Sequence, residues 1–173
     1  AYVFVVKDDG TVAYRPVAAG TLFQGEVVIE DGLQEREPVV IDGQMQLADG
    51  VKVGPYAVIG PEVTVGEGTE IMAHAVVHKN VRMGRECRVF PGASVGGDPQ
   101  DLKYKGERSW LEMGDRNTIR ECVTLNRGVG EDGKVVIGSD NLFMAYSHVA
   151  HDCVIGNHVI LANSVALAGH VTV

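Results

Sequence analysis

The chain has 173 residues and a mass of 18.5 kDa, enough for one ordinary domain plus a partial module and too little for two full-sized enzyme domains. Apolar residues make up 45% and charged residues 22%, so a core can be buried and a disordered tail is excluded; no apolar run nears the roughly 18 residues that span a bilayer, and no membrane insertion is expected. The net charge of −8 argues against a nucleic-acid partner, whose phosphates need clustered Lys and Arg.

The start, Ala1-Tyr2-Val3, carries no signal peptide and reads as a soluble piece of something longer. Cys87, Cys122 and Cys153 are odd in number and widely spaced, which favours a reducing compartment over a disulfide framework or a zinc knuckle. Acidity is uneven: residues 1–50 hold three basic and nine acidic side chains, against twelve and fourteen in 51–173. This break near residue 50 separates two expected units, 1–50 and 51–173.

In the first unit Tyr2-Val3-Phe4-Val5-Val6, Thr11-Val12-Ala13-Tyr14, Gly25-Glu26-Val27-Val28-Ile29 and Pro38-Val39-Val40-Ile41 read as short strands. Asp9-Gly10, Asp31-Gly32 and Asp42-Gly43 are their turn signals. A small antiparallel β fragment is predicted.

From Val53 a different order begins. Every sixth residue is apolar: Val53, Ile59, Val65, Ile71, Val77, Met83, Val89 and Val95, then Met113, Ile119 and Leu125, then Ile137, Phe143, Val149, Ile155, Leu161, Leu167 and Val173. Against a 45% apolar background, this run has a chance probability of about 10⁻⁶, which decides against ordinary strands of drifting spacing. Two positions earlier sit small or β-branched residues such as Val51, Val63, Thr69, Ala75 and Val81, so alternation points both residues of each rung inward. Gly follows the apolar residue in many rungs, where a turn needs a permissive backbone.

The array resembles the hexapeptide-repeat proteins. That resemblance implies an all-β fold, a left-handed parallel β-helix of three rungs per triangular coil and about six coils, preceded by the antiparallel fragment. On such a prism the interruptions after Val95 and Leu125 leave from one corner, and Arg127, His151 and Gly169 fall in one vertical column with His170 beside it.

The segment His148-Val149-Ala150-His151-Asp152 places His148 outward on a rung and His151 in the corner that follows. A neutral imidazole is a natural general base for a hydroxyl, and Asp152 is a candidate to fix its tautomer. The rival is a zinc site using His148, His151 and His170. The carboxylate beside His151 suits base catalysis equally well and no further ligand cluster appears, so no metal is expected. His74, His78 and His158 carry no such constellation and are expected to be solvated.

Gly97-Asp98-Pro99-Gln100-Asp101-Leu102-Lys103-Tyr104-Lys105-Gly106-Glu107, Gly114-Asp115-Arg116-Asn117, Ile119-Arg120-Glu121 and His148-Val149-Ala150-His151-Asp152-Cys153 together resemble the UDP-N-acetylglucosamine O-acyltransferase family of lipid A synthesis, over residues 54–173. The resemblance implies transfer of a 3-hydroxyacyl group from acyl carrier protein to a sugar 3-hydroxyl without a further cofactor, in the cytoplasm, by a homotrimer with sites between subunits. It assigns His151 as base, Asp152 as its orienter, the Gly169 amide as oxyanion donor, and Gln100, Asp101, Lys103, His148 and His170 to substrate binding. The residues leave open the acyl length, a 3-amine acceptor, a zinc-dependent hexapeptide enzyme, and a scaffold that does not turn over.

Residues 1–53 resemble the membrane-proximal part of periplasmic adaptors of drug-efflux pumps, through Val5-Val6-Lys7-Asp8-Asp9-Gly10-Thr11-Val12, Arg15-Pro16-Val17, Glu30-Asp31-Gly32-Leu33 and Val39-Val40-Ile41-Asp42-Gly43. That piece implies a periplasmic location if it dominates targeting. It is expected to cap the first coil or to be poorly ordered.

Overall fold

The computed structural model describes residues 2–7, 11–23, 26–34, 37, 39–40 and 46–173. Alternating β-branched and aromatic residues give an antiparallel opening. Strand β1 (Tyr2–Val6) lies between β2 (Val12–Pro16) and β5 (Val39–Val40), while β3 (Ala18–Phe23) pairs with β4 (Glu26–Asp31). The turn signals Asp9-Gly10 and Asp42-Gly43 lie outside the described residues, as do Gly25, Pro38 and Ile41 at strand ends. At Asp31-Gly32 the glycine takes φ +97, a conformation that favours a residue without Cβ.

The remainder is a left-handed parallel β-helix with three six-stranded sheets as the faces of a prism. One face runs from Lys52–Val53 to Ile160–Leu161, the next from Val58–Ile59 to Ala166–Leu167, and the third from Gln46–Leu47 to Val154–Ile155. The helix therefore starts one rung before Val53, at Gln46–Leu47, which pairs with Thr64–Val65. At the other end the last predicted rung contributes a single bridge, Val154 to Thr172. Both inward positions are filled as the alternation requires: Val51, Val63, Thr69, Ala75, Val81, Cys87 and Ala93 are fully buried beside Val65, Ile71, Val77 and Val89.

Gly96, at φ +77, meets the expectation of a permissive turn, but the other repeating glycines serve a different purpose. A Cβ on Gly54 would lie 2.5 Å from the Ala73 amide nitrogen and one on Gly84 2.5 Å from the Gly114 carbonyl, neither residue having a positive φ. Close stacking of one coil on the next imposes them. Left-handed backbone falls instead on corner residues with side chains, among them Tyr56, Glu62, His74, Asp140, Asp152 and His170.

The antiparallel fragment closes the open end of the coil. Val12 N–H donates to the Val51 carbonyl at 3.0 Å, Thr11 bridges to Lys52, and Phe4 and Val12 join the same buried cluster as Leu47 and Val51. Phe4→Ala is accordingly expected to destabilise the β-helix by about 3 kcal/mol, as a lower denaturant midpoint in a single transition. Unchanged coil stability would mean that the fragment does not cap it.

Candidate active site

Two excursions, residues 98–109 and 127–133, leave the prism at the same corner, after Ser94–Gly97 and Thr124–Asn126. Leu125, Val149 and Leu167 are in register on successive coils, so Arg127, His151 and Gly169 stack in one column. The shared column follows from hexad arithmetic; the side-chain contacts require the coordinates.

His151 is mostly buried, and its Nδ1 lies 2.9 Å from Asp152 Oδ2. A carboxylate can only accept, so Nδ1 carries the proton and Nε2 keeps its lone pair. The Val129 N–H, from the second excursion, reaches Asp152 Oδ1 at 3.2 Å and Oδ2 at 3.3 Å and holds the carboxylate. Nε2 faces Asp101 Oδ2 at 3.5 Å. His170 meets the His151 ring edge-on, with centroids 5.1 Å apart, and remains 73% exposed with its Nε2 3.9 Å from Asp152. The His151 ring lies so close to Gly169 that a Cβ there would be 2.5 Å from Nε2. The Gly169 N–H has no hydrogen-bond partner among the described residues.

Asp101 is held below the usual carboxylate range, first by the Lys103 N–H at 2.8 Å and then, against some burial, by the nearby His151. It therefore stays ionised beside the imidazole. The side chains of Gln100 and Lys103 are exposed on the same loop. His148 sits apart from the cluster, half-buried, with Nδ1 2.7 Å from Thr124 Oγ1. The structure thus brings together His151, Asp152, Asp101, Gly169 and His170, and leaves His148, Gln100 and Lys103 on the flanks. A possible metal cluster comprises His151, Asp152 and His170, whose ligand atoms lie within 4.8 Å of one another; His148 is not in it.

One residue differs from expectation. His78 is half-buried, with Nε2 2.9 Å from Ser94 Oγ on the next coil. His74 is exposed, as expected, and stacks on the Tyr56 ring with centroids 5.2 Å apart. No local pattern signalled the His78 contact, since it comes from a neighbouring coil.

Burial lowers the pKa of His148, and that of His78 with help from the Arg127 charge, below their ordinary 6.5. The unfolded chain then binds protons that the folded chain resists. Stability should be fully present above pH 6.5 and decline as the pH falls through the folded values. Urea midpoints at pH 7.5 and 5.5 check this: the acidic value should be lower, and His148→Gln should narrow the gap.

Comparison with known proteins bears on both parts of the chain. A family model described as bacterial transferase hexapeptide (six repeats) matches residues 44–79 and 134–169. One described as the C-terminal permuted SH3 domain of RND MFPs matches residues 1–46. The acyl-[acyl-carrier-protein]–UDP-N-acetylglucosamine O-acyltransferase of Synechocystis is 62% identical over 84 residues, 49% of this chain and 30% of that protein. Its counterpart from Xylella fastidiosa is 54% identical over 90 residues, 51% of this chain and 34% of that protein. Among solved structures, the UDP-N-acetylglucosamine acyltransferase of Francisella novicida superposes with a TM-score of 0.74 at 41% identity, over 77% of this chain and 49% of that one. The Arabidopsis enzyme gives 0.67 at 35% identity, over 77% and 52%. The chain spans about a third of the curated relatives' length and about half of the solved structures. No helix is long and apolar enough to cross a membrane among the described residues. The two excursions, the His151 corner and the coil that carries them are thus similar to UDP-N-acetylglucosamine O-acyltransferases, and the antiparallel opening is similar to an efflux-adaptor domain.

Proposed function

We propose that the corner at His151 transfers a 3-hydroxyacyl chain from acyl carrier protein to the 3-hydroxyl of UDP-N-acetylglucosamine, the first step of lipid A synthesis. The observation that carries this is His151 itself, with Nδ1–H committed to Asp152 and Nε2 left as a base. Nε2 takes the hydroxyl proton as the oxygen attacks the thioester carbon. The negative charge that develops on the carbonyl oxygen is met by the Gly169 N–H, one coil along. Collapse of the tetrahedral intermediate breaks the carbon–sulfur bond, and the imidazolium returns its proton to the departing thiolate. Asp152 stabilises the imidazolium between the two transfers. Gln100, Asp101, Lys103, His148 and His170 position the substrates.

No separate cofactor takes part in this scheme. The reading carries with it a homotrimer with sites between subunits, supported by the openness of the corner at His170. A cytoplasmic location is supported by three free cysteines. We further infer that the antiparallel opening, which ends before the Gln46–Leu47 rung, acts as a cap for the coil rather than as an efflux component.

The test is mass spectrometry of products from the purified protein with UDP-N-acetylglucosamine and a panel of 3-hydroxyacyl carrier-protein thioesters. An O-acylated sugar nucleotide is expected, unaffected by a chelator. No product from any donor, with the coil intact, would favour a silent scaffold; turnover abolished by chelation and restored by zinc would replace the base mechanism with a metal one.

A further inference from the structure

The excursion that delivers Asp101 to His151 has few fixed points of its own. Lys103 N–H caps Asp101 Oδ1 at 2.8 Å and Tyr104 N–H closes the turn onto the Asp101 carbonyl at 3.0 Å. These contacts shape the turn without fastening it to the prism. The fastening comes from beneath. Arg127, one coil below His151 in the same column, is 1% exposed. Its guanidinium donates to the Gly96 carbonyl and to Asp98 Oδ1 on the incoming limb, and to the Tyr104 hydroxyl at 3.2 Å on the outgoing limb. The neighbouring Asn126 Nδ2 adds a bond to the Asp98 carbonyl at 2.7 Å.

A guanidinium buried this deeply is tolerated only while its partners are in place, because an unpaired charge in the interior is costly. The planar fork reaches both limbs of the loop at once, which a lysine ammonium cannot reproduce. We infer that Arg127 is a positioning residue: it pins the 98–109 excursion on both sides of the turn and thereby sets the Asp101 carboxylate against His151 Nε2. The inference rests on the proposed base role of His151 for its consequence in turnover, but not for its geometry.

Three side chains face the His151 imidazole from the elements around it: Asp101 from the excursion, Asp152 from its own corner and His170 from the next coil. Arg127 lies one coil below. Two roles for Arg127 then differ in reach. If it only fills the interior, removing it loosens the coil as a whole. If it pins the excursion, removing it frees the turn that carries Asp101 and leaves the coil protected.

Hydrogen exchange of backbone amides in the full chain separates these. Arg127→Met and Arg127→Lys are each expected to speed exchange of the Lys103 and Tyr104 amides about tenfold or more while the coil amides of His148 and Ala150 stay protected, and Tyr104→Phe should speed them less. Tyr104→Phe, which deletes one hydroxyl from the loop, keeps the test open if the arginine variants fail to fold. Unchanged loop exchange in Arg127→Met, or an equal loss of protection in the coil, overturns the inference. Unchanged loop exchange in Tyr104→Phe does so where that variant alone can be read. In the acyl-transfer assay Arg127→Met and Asp101→Asn should each lower kcat/KM about tenfold and together about tenfold, and full additivity would also overturn the inference. A protein without acyl transfer would refute the proposed reaction while leaving the exchange result to stand.

Discussion

Replacing His151 by Ala is expected to lower acyl transfer by about 10²–10⁴-fold, the contribution of a positioned general base, while the coil remains folded. The fold should survive because the ring lies at a corner, outside the buried apolar cluster. Its partner Asp152 also keeps the Val129 N–H when the imidazole is gone. The same substitution in a full-length relative's chain should cost turnover to the same extent and leave the assembly state unchanged by native mass. Asp152→Asn supplies the companion result. An amide facing Nδ1 can donate as well as accept, so the tautomer is no longer fixed and part of the population presents a protonated Nε2 that cannot act as a base. Turnover in His151→Ala within about tenfold of the unsubstituted chain would refute the base assignment.

The second large effect is Gly169→Ala. Gly169 has no positive φ, so its backbone accepts a side chain without strain; the obstacle is the His151 ring, with Nε2 2.5 Å and Nδ1 3.0 Å from where the Cβ would go. The imidazole must move, and a displacement near 1 Å at a reacting group costs about 10²-fold in rate. Stability should be unchanged or slightly higher, since alanine restricts the unfolded chain. Gly84→Ala is the control. Its Cβ would lie 2.5 Å from the Gly114 carbonyl carbon and oxygen, backbone of the next coil, so it should destabilise by roughly 1–3 kcal/mol through overpacking. Rate and denaturant midpoint measured on both variants should respond in opposite ways: activity lost with the fold kept at Gly169, stability lost at Gly84. Equal loss of stability in both would mean that the His151 ring cannot yield independently of the coil.

Much of this was legible in the letters because a prism repeats its register. Once Val95, Leu125, Val149 and Leu167 are recognised as rungs, the convergence of two excursions on His151 follows by counting. The Leu47 rung was missed although it lies six residues before Val53 and keeps the phase; Gln46–Leu47 is the edge strand of its face, beside Thr64–Val65, and was read as part of the antiparallel opening. Strand β3 was missed because Ala18-Ala19-Gly20 lacks the alternation that marks a strand. Arg127 was correctly placed in the column, yet nothing in Asn126-Arg127-Gly128 distinguishes a buried guanidinium from a solvated one; its burial depends on the fold-back of a loop some thirty residues earlier in the chain. His78, an expected surface residue, is half-buried through a contact with Ser94 on the next coil, which a single rung does not reveal. The glycines were read correctly as structural, though except at Gly96 for the wrong reason, since periodicity cannot separate a demand for φ from a demand for space.

Asp152 and His170 stand at φ 57 and 63, alongside Tyr56 at 60, His74 at 60 and Asp140 at 62. The architecture asks for this unusual backbone at corner after corner, so Asp152 and His170 occupy sockets that the scaffold had to build anyway. Chemistry in such a protein can be gained, lost or relocated by exchanging single letters at vertices, without redrawing the path of the chain.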